Sequence, residues 1–275
     1  MQTFEEQKAY VSKFNVIDDM FFQKMAEDME VAEEILRIIL KKPKLKVIEN
    51  QVQRFLRNTG AHSVILDLLC EDEDHSFINC KVQKEEDDDY QKRVRFNRSN
   101  IDTIFTEKGI DYKELPDVYI ILISKFDTFR EGKTIYHINR VIEETGTIVE
   151  NGTHEIYVNA AIDDKSDIAE LMQYFKKSVG EHQNFQKLCN RVKYFKETQK
   201  GVSNMCKLVE DYAKEYAEKY AEKYAKEYAE QQSIENAANL LKNGVSVDII
   251  ADSIPTLSRD IIISLSEKIP QTTKV

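Results

Sequence analysis

Val64 to Gln83 reads VILDLLCEDEDHSFINCKVQ. Two β-patterned runs flank the acidic stretch EDEDHS at 71–76, a spacing that predicts a hairpin. Side chains two apart on a strand share a face. On the first strand Val64, Leu66 and Leu68 point one way, and Asp67 lies with Ile65 and Leu69. On the second, Ile78, Cys80 and Val82 make an apolar face, while Asn79, Lys81 and Gln83 line the other. A carboxylate is thus set opposite a polar ladder, inside strands that otherwise read as buried. Lys81 puts a cation in the middle of that ladder.

Working outward, Val47–Arg54 reads as a short strand leading into the hairpin. Asn15–Leu40 reads as a helix, with Phe21, Met25, Val31, Ile35 and Ile38 near helical spacing, Asp18 able to cap, and KKPKLK ending it at Pro43. Asp89–Thr106 is a second helix carrying Lys92, Arg93, Arg95 and Arg98. DVYIILISKF at 117–126 is almost continuously apolar, as expected of a strand buried on both faces. KTIYHINRVI and HEIYVNA read as further strands, separated by turn signals at Gly146 and Asn151-Gly152. From Ser166 the pattern becomes helical. The order helix, strand, strand, helix, strand predicts an α/β mixed sheet flanked by helices over residues 1–200. No GxGxxG or GxxxxGK[ST] is present, which argues against phosphate-loop nucleotide binding.

Residues 201–235 form the next expected unit. Within it KLVEDYAKEYAEKYAEKYAKEYAEQQ places Tyr at 212, 216, 220, 224 and 228. A four-residue step on an α-helix drifts about 40°, so these tyrosines sweep around the helix and make a poor long heptad zipper. Ala content and the i,i+4 pairs Glu215–Lys219 and Glu222–Lys226 favour a strong single helix, either a solvated spacer or a self-associating one. Residues 236–275 read as a small module of two or three short helices, with Gly244 stopping the first, Ser246 capping the second and Ser258 the last. Its Ile- and Leu-rich last helix suits packing or protein contact better than groove reading.

The net charge of −10 excludes DNA binding through a global basic field, so any nucleic-acid contact must come from a local patch. No apolar run is long enough for a membrane span, and MQTFEEQKAY lacks the apolar core of a signal peptide. A cytosolic protein is expected, with Cys70, Cys80, Cys189 and Cys206 as reduced core residues, since none lies in a CxxC pair. The five histidines, at 62, 75, 137, 154 and 182, show no metal-binding spacing and none reads as catalytic.

Metal-assisted phosphodiester cleavage needs carboxylates that gather Mg²⁺ beside the scissile phosphate. Mg²⁺ takes only a few protein oxygens and keeps several waters. Asp67, position 81 and Gln83 fit that spacing, with the backbone carbonyl of Val82 as a further ligand. A hairpin whose polar face meets water fits it too. Asp18 and Asp19 open the first helix, where capping is the simplest role.

The sequence resembles the PD-(D/E)XK nuclease family transposases, the recombination-promoting nuclease group, over nearly the whole chain. DDMFFQKM, LDLLCEDE, NCKVQK, YQKRVRFNRSNID and PDVYIILISKFD carry the resemblance. The family pattern on the second hairpin strand is like N-x-E-[IV]-Q, and here Asp67 and Gln83 match while Lys81 stands at the Glu position. The resemblance implies a restriction-endonuclease-like fold and a Mg²⁺-dependent DNA endonuclease of low sequence specificity, linked to recombination, mobile elements or defence. It implies metal held by Asp67 and the Val82 carbonyl with support from Asp19, and Gln83 positioning water or phosphate. Lys92, Arg93, Arg95 and Arg98 would contact DNA phosphates. Lys81 opposes this, because a unit repulsion at 4 Å and an effective dielectric constant near 20 costs about 4 kcal/mol per unit of metal charge. Weak or absent Mg²⁺ binding, and little cleavage, are therefore expected. Lys81 reads either as an inactivating change in an otherwise complete site or as the mark of a naturally degenerate homologue that acts as an oligomerising regulator. The C-terminal helices are the expected means of forming a homodimer or larger homo-oligomer.

Overall fold

The computed structural model describes the backbone of residues 3–56, 64–86, 89–105, 109 and 111–268, and every side chain among them except those at 53–56, 64, 65, 215, 216, 219, 222, 223 and 226. His62 and Thr106, the facing of Val64 and Ile65, Tyr216, and the pairs Glu215–Lys219 and Glu222–Lys226 lie outside the described residues. The chain divides into two compact units, Met1–Cys206 and Lys207–Val275.

The first unit opens with α1 (Phe4–Val11), closed at its start by a Thr3–Glu6 capping box. The single helix expected over Asn15–Leu40 is instead two, α2 (Asp19–Ala26) and α3 (Met29–Leu40). Asp28 causes the break by turning its carboxylate onto the Glu30 N–H and capping a new helix. The carbonyls freed there are taken by distant chain. Asn50 Nδ2 donates to Ala26 O at 2.8 Å, and the Arg191 guanidinium donates to Lys24 O and to Asp28 Oδ2. Asp18 precedes α2 but does not cap it; its carboxylate accepts from the Asn15 N–H and from Lys84. Helix α3 ends before Pro43, at Leu40, with Lys41 in the left-handed conformation at φ 53°.

Strands β1 (Val47–Leu56), β2 (Val64–Asp72) and β3 (Phe77–Gln83) form an antiparallel meander, and helix α4 (Tyr90–Phe105) follows. Strand β4 (Val118–Ser124) lies parallel to β3. KTIYHINRVI is divided: β5 (Ile135–Ile138) joins the main sheet, whereas β6 (Val141–Ile142) turns through Gly146 to pair only with β7 (Thr147–Ile148). Strand β8 (Thr153–Asn159) then enters between β4 and β5, completing the order β1-β2-β3-β4-β8-β5. The result is a mixed six-stranded sheet.

Alternation along the central strands gives the sheet two covered faces. Ile120, Leu122 and Tyr157 pack with Tyr90, Val94 and Ile101 of α4. Their neighbours Ile121, Ile123, Ile156 and Val158 are just as buried and turn the other way. Leu66 and Leu69 of β2 belong to the same buried cluster, and the ladder to β3 ends at Leu68. Helices α5 (Asp167–Lys176), capped by Ser166, and α6 (Gln186–Glu197) complete the helical layer with α2 and α3. Phe22 and Phe175 meet there with ring centroids 6.0 Å apart. The chain's start is tied to this late segment: Val16 N–H donates to Ser178 Oγ, Ile17 N–H to Phe175 O, and Ser178 N–H to Asn15 Oδ1. Cys70, Cys80, Cys189 and Cys206 are buried free thiols.

Helix α7 (Gln199–Lys242) runs unbroken through the tyrosine repeat and absorbs the first of the expected short C-terminal helices. At its start a Cβ on Gly201 would overlap the Tyr194 carbonyl, so only glycine fits. In the second unit Gly244, at φ 80°, turns the chain into α8 (Val247–Ser253) and α9 (Arg259–Lys268). Ala237, Ile250, Leu257 and Ile262 form its small core. Among the described residues no helix is long and apolar enough to cross a membrane.

Candidate functional site

Asp67 leaves the β2–β3 ladder just beyond the Leu68–Cys80 pair, at the end of the hairpin away from its turn. Lys81, two residues past Cys80, reaches back to it, with Nζ 2.9 Å from Asp67 Oδ2. The Asp67 side chain is only 4% exposed and that of Lys81 21%. Burial pushes the Asp67 carboxyl up, to about 7; the Lys81 ammonium pulls it down, and the charge and hydrogen bond of neighbouring Asp19 push it up again. Asp19 stands on the first turn of α2 and accepts a hydrogen bond from Gln23 Nε2 at 3.2 Å. Three of the residues singled out in the sequence are therefore together: Asp19, Asp67 and Lys81.

Gln83 lies at the end of β3, donating to Glu85 O at 2.9 Å, with its Oε1 3.5 Å from Arg93 Nη1. Arg93 also pairs with Asp89 at 2.6 Å. Lys81, Gln83 and Arg93 line a small cavity beneath α4, together with Asn79, Tyr90 and Asn97. Lys92 and Arg95 are exposed on α4. Arg98 is elsewhere. It bonds Thr153 Oγ1 at 3.1 Å, at the start of β8 and the opposite end of the strands from Gln83.

Two residues to which the sequence assigned no role at the site take part in it. Asn79 is fully buried and donates Nδ2 to Leu68 O at 2.9 Å, tying the two hairpin strands beside Asp67, while its Oδ1 has no hydrogen-bond partner among the described residues. Its place in NCKVQ was the available signal. Lys84 pairs with Asp18 at 2.7 Å and links the end of β3 to the start of α2.

A divalent cation does not fit the residues present. Asp67 is engaged by an ammonium group at ion-pair distance, and Asp19 is the neighbouring acid. The acids of the hairpin turn are engaged elsewhere, Glu71 with His75 and Glu73 with Lys46. Among the described residues no group of three or more His, Cys, Asp or Glu is placed to hold a metal ion. Lys81 supplies the positive charge at this position itself.

The family model for PD-(D/E)XK nuclease family transposases matches residues 18–238, and the chain belongs to that family. Its mixed sheet and flanking helices agree with a restriction-endonuclease-like fold, and the family supports a nuclease-like function with DNA as substrate. No curated protein and no solved structure matches the chain.

Proposed function

We propose that this chain is a self-associating, DNA-contacting member of the nuclease family whose cleavage site has been disarmed by Lys81. In the functional form of the site, position 81 would carry a Glu, and Asp67, Asp19 and the Val82 carbonyl would hold Mg²⁺, which would supply the charge for endonucleolytic cleavage of low sequence specificity. In the present chain the observation that carries the reading is the 2.9 Å contact between Lys81 Nζ and Asp67 Oδ2. An ammonium there neutralises the carboxylate and repels a second cation. Contact with phosphate then falls to Lys92 and Arg95, exposed on α4, and to Arg93, which reaches Gln83 at the cavity and also pairs with Asp89. The C-terminal helices bring two chains together, since Tyr220, Tyr224 and Tyr228 of α7 stand exposed on a single chain.

Plasmid nicking in Mg²⁺ tests the site. The chain as it stands should leave the plasmid supercoiled, Lys81→Glu should gain nicking, and Asp67→Ala added to Lys81→Glu should remove it. Asp67-dependent nicking by the unaltered chain would overturn the reading, as would failure of a folded Lys81→Glu chain to nick at all.

A further inference from the structure

Helix α4 buries Tyr90, Val94, Asn97, Asn100 and Ile101. Two of its aromatic side chains find ring partners. Tyr90 meets Phe126, with centroids 5.2 Å apart, and Phe105 meets Phe77 at 4.3 Å. Phe96 is turned elsewhere. A step of 100° per residue places it about 160° around from Val94 and about 140° from Ile101, and it is 37% exposed.

A single exposed apolar side chain means little by itself. The surroundings of Phe96 give it a use. Lys92, exposed, stands one helical turn before it, about 6 Å along the axis and about 40° around, and exposed Arg95 adjoins it. The one acid within α4, Asp102, lies about 120° around from Phe96 and faces Arg98. The following turns bring Ser99 and Thr103, small residues whose hydroxyls bond back to Arg95 O and Ser99 O. An aromatic ring is thus set beside two cations, with small residues after it along the helix.

We propose that Phe96 stacks an unpaired base whose flanking phosphates lie on Lys92 and Arg95, so that α4 takes single-stranded DNA in preference to duplex. The proposal rests on the DNA contact named above and specifies the form of the DNA. In a duplex the bases stack on one another and show only their edges in the grooves, which leaves a surface ring no base face to cover. In a single strand every base offers a face, whatever the sequence. Charge points the same way. The chain carries a net charge of −10, and the phosphate contacts of α4 work against that field. Duplex DNA has about twice the charge of one strand per unit length, so the repulsion falls harder on it. Stacking adds affinity that does not depend on charge, and only the single strand gains it.

Anisotropy of labelled oligo-dT and of a duplex of the same length, each titrated with the full chain, tests this. The single strand should bind more tightly. Phe96→Ala should weaken single-strand binding roughly five- to tenfold and leave duplex binding unchanged, while Phe96→Tyr should preserve both. The chain has no tryptophan, so Phe96→Trp introduces a lone indole whose emission a stacked base quenches. That emission should fall on adding oligo-dT and hold steady with duplex. A duplex bound as tightly as the single strand, a Phe96→Ala effect that is equal on both or absent, or an indole insensitive to oligo-dT overturns the stacking. Each of these leaves DNA contact by Lys92 and Arg95 standing. Binding of neither form by the unaltered chain overturns both.

Discussion

The two sides of β3 differ by one residue of phase and by everything else. Ile78, Cys80 and Val82 turn into a core where nothing polar is needed, and all three are buried. Asn79, Lys81 and Gln83 alternate with them and meet α4, a carboxylate from β2 and a cavity. The first side holds the sheet together by area removed from water, without regard to direction. The second consists of directional contacts, each needing a particular partner. A strand alternates with period two, so one stretch of seven residues serves both. The lesson is that conservative chemistry on the first side is cheap, whereas on the second a single charge reversal rewrites the site.

The contrast can be attacked from either side. Ile78→Ala on the core side should produce the largest loss of stability, about 2–5 kcal/mol, read from the urea midpoint at constant slope. A loss below about 1 kcal/mol would mean that this side is no better packed than the other.

Next in size is the pH dependence of Asp67. Its native carboxyl titrates near 7, above its ordinary value of 3.8, so the folded chain binds more protons than the unfolded one between those limits. Its effect is therefore most favourable below pH 4 and declines as pH rises to 7. Asp67→Asn, neutral at every pH, should flatten the fall in urea midpoint between pH 5 and pH 8. An unchanged slope would show that Lys81 fully offsets the burial.

The smallest effect belongs to Lys92→Ala on the open side of α4. Stability should stay within about 0.5 kcal/mol, while the salt dependence of DNA binding loses roughly one unit of slope. Equal loss from Arg98→Ala, whose guanidinium is bound to Thr153 at the far end of the strands, would shift the DNA track away from the cavity.

Much of this arrangement is legible in the sequence. The hairpin, the doubly buried β4 and the facing of Lys81 follow from alternation and apolar runs, which are local properties. The break between α2 and α3 was not. Asp28 is a fair N-cap in any context, but the break is satisfied only because Asn50 and Arg191 arrive to accept the task of bonding its open carbonyls. The division of KTIYHINRVI was equally hidden, since its two halves have similar β character and differ only in which strand stands beside them. For the candidate site, spacing put Asp67 and Gln83 on the hairpin and the resemblance suggested Asp19, but nothing local could show Asp19 next to Asp67 or send Arg98 to the opposite end of the strands. Both facts depend on how a helix lies across a sheet.

The bonds that fasten the beginning of the chain to its late helices bear on how the protein is made. Asn15, Val16 and Ile17 are completed by Phe175 and Ser178, and the α2–α3 break by Arg191. On a ribosome the partners of Asn15 emerge about 160 residues after it, an interval of roughly ten to thirty seconds at ordinary synthesis rates. Through that interval Phe22 lacks the ring of Phe175 and Phe21 lacks the Lys196 ammonium that finally lies over it. Helices α2 and α3 are translated well before α5 and α6 and stay open to solvent until those later helices arrive.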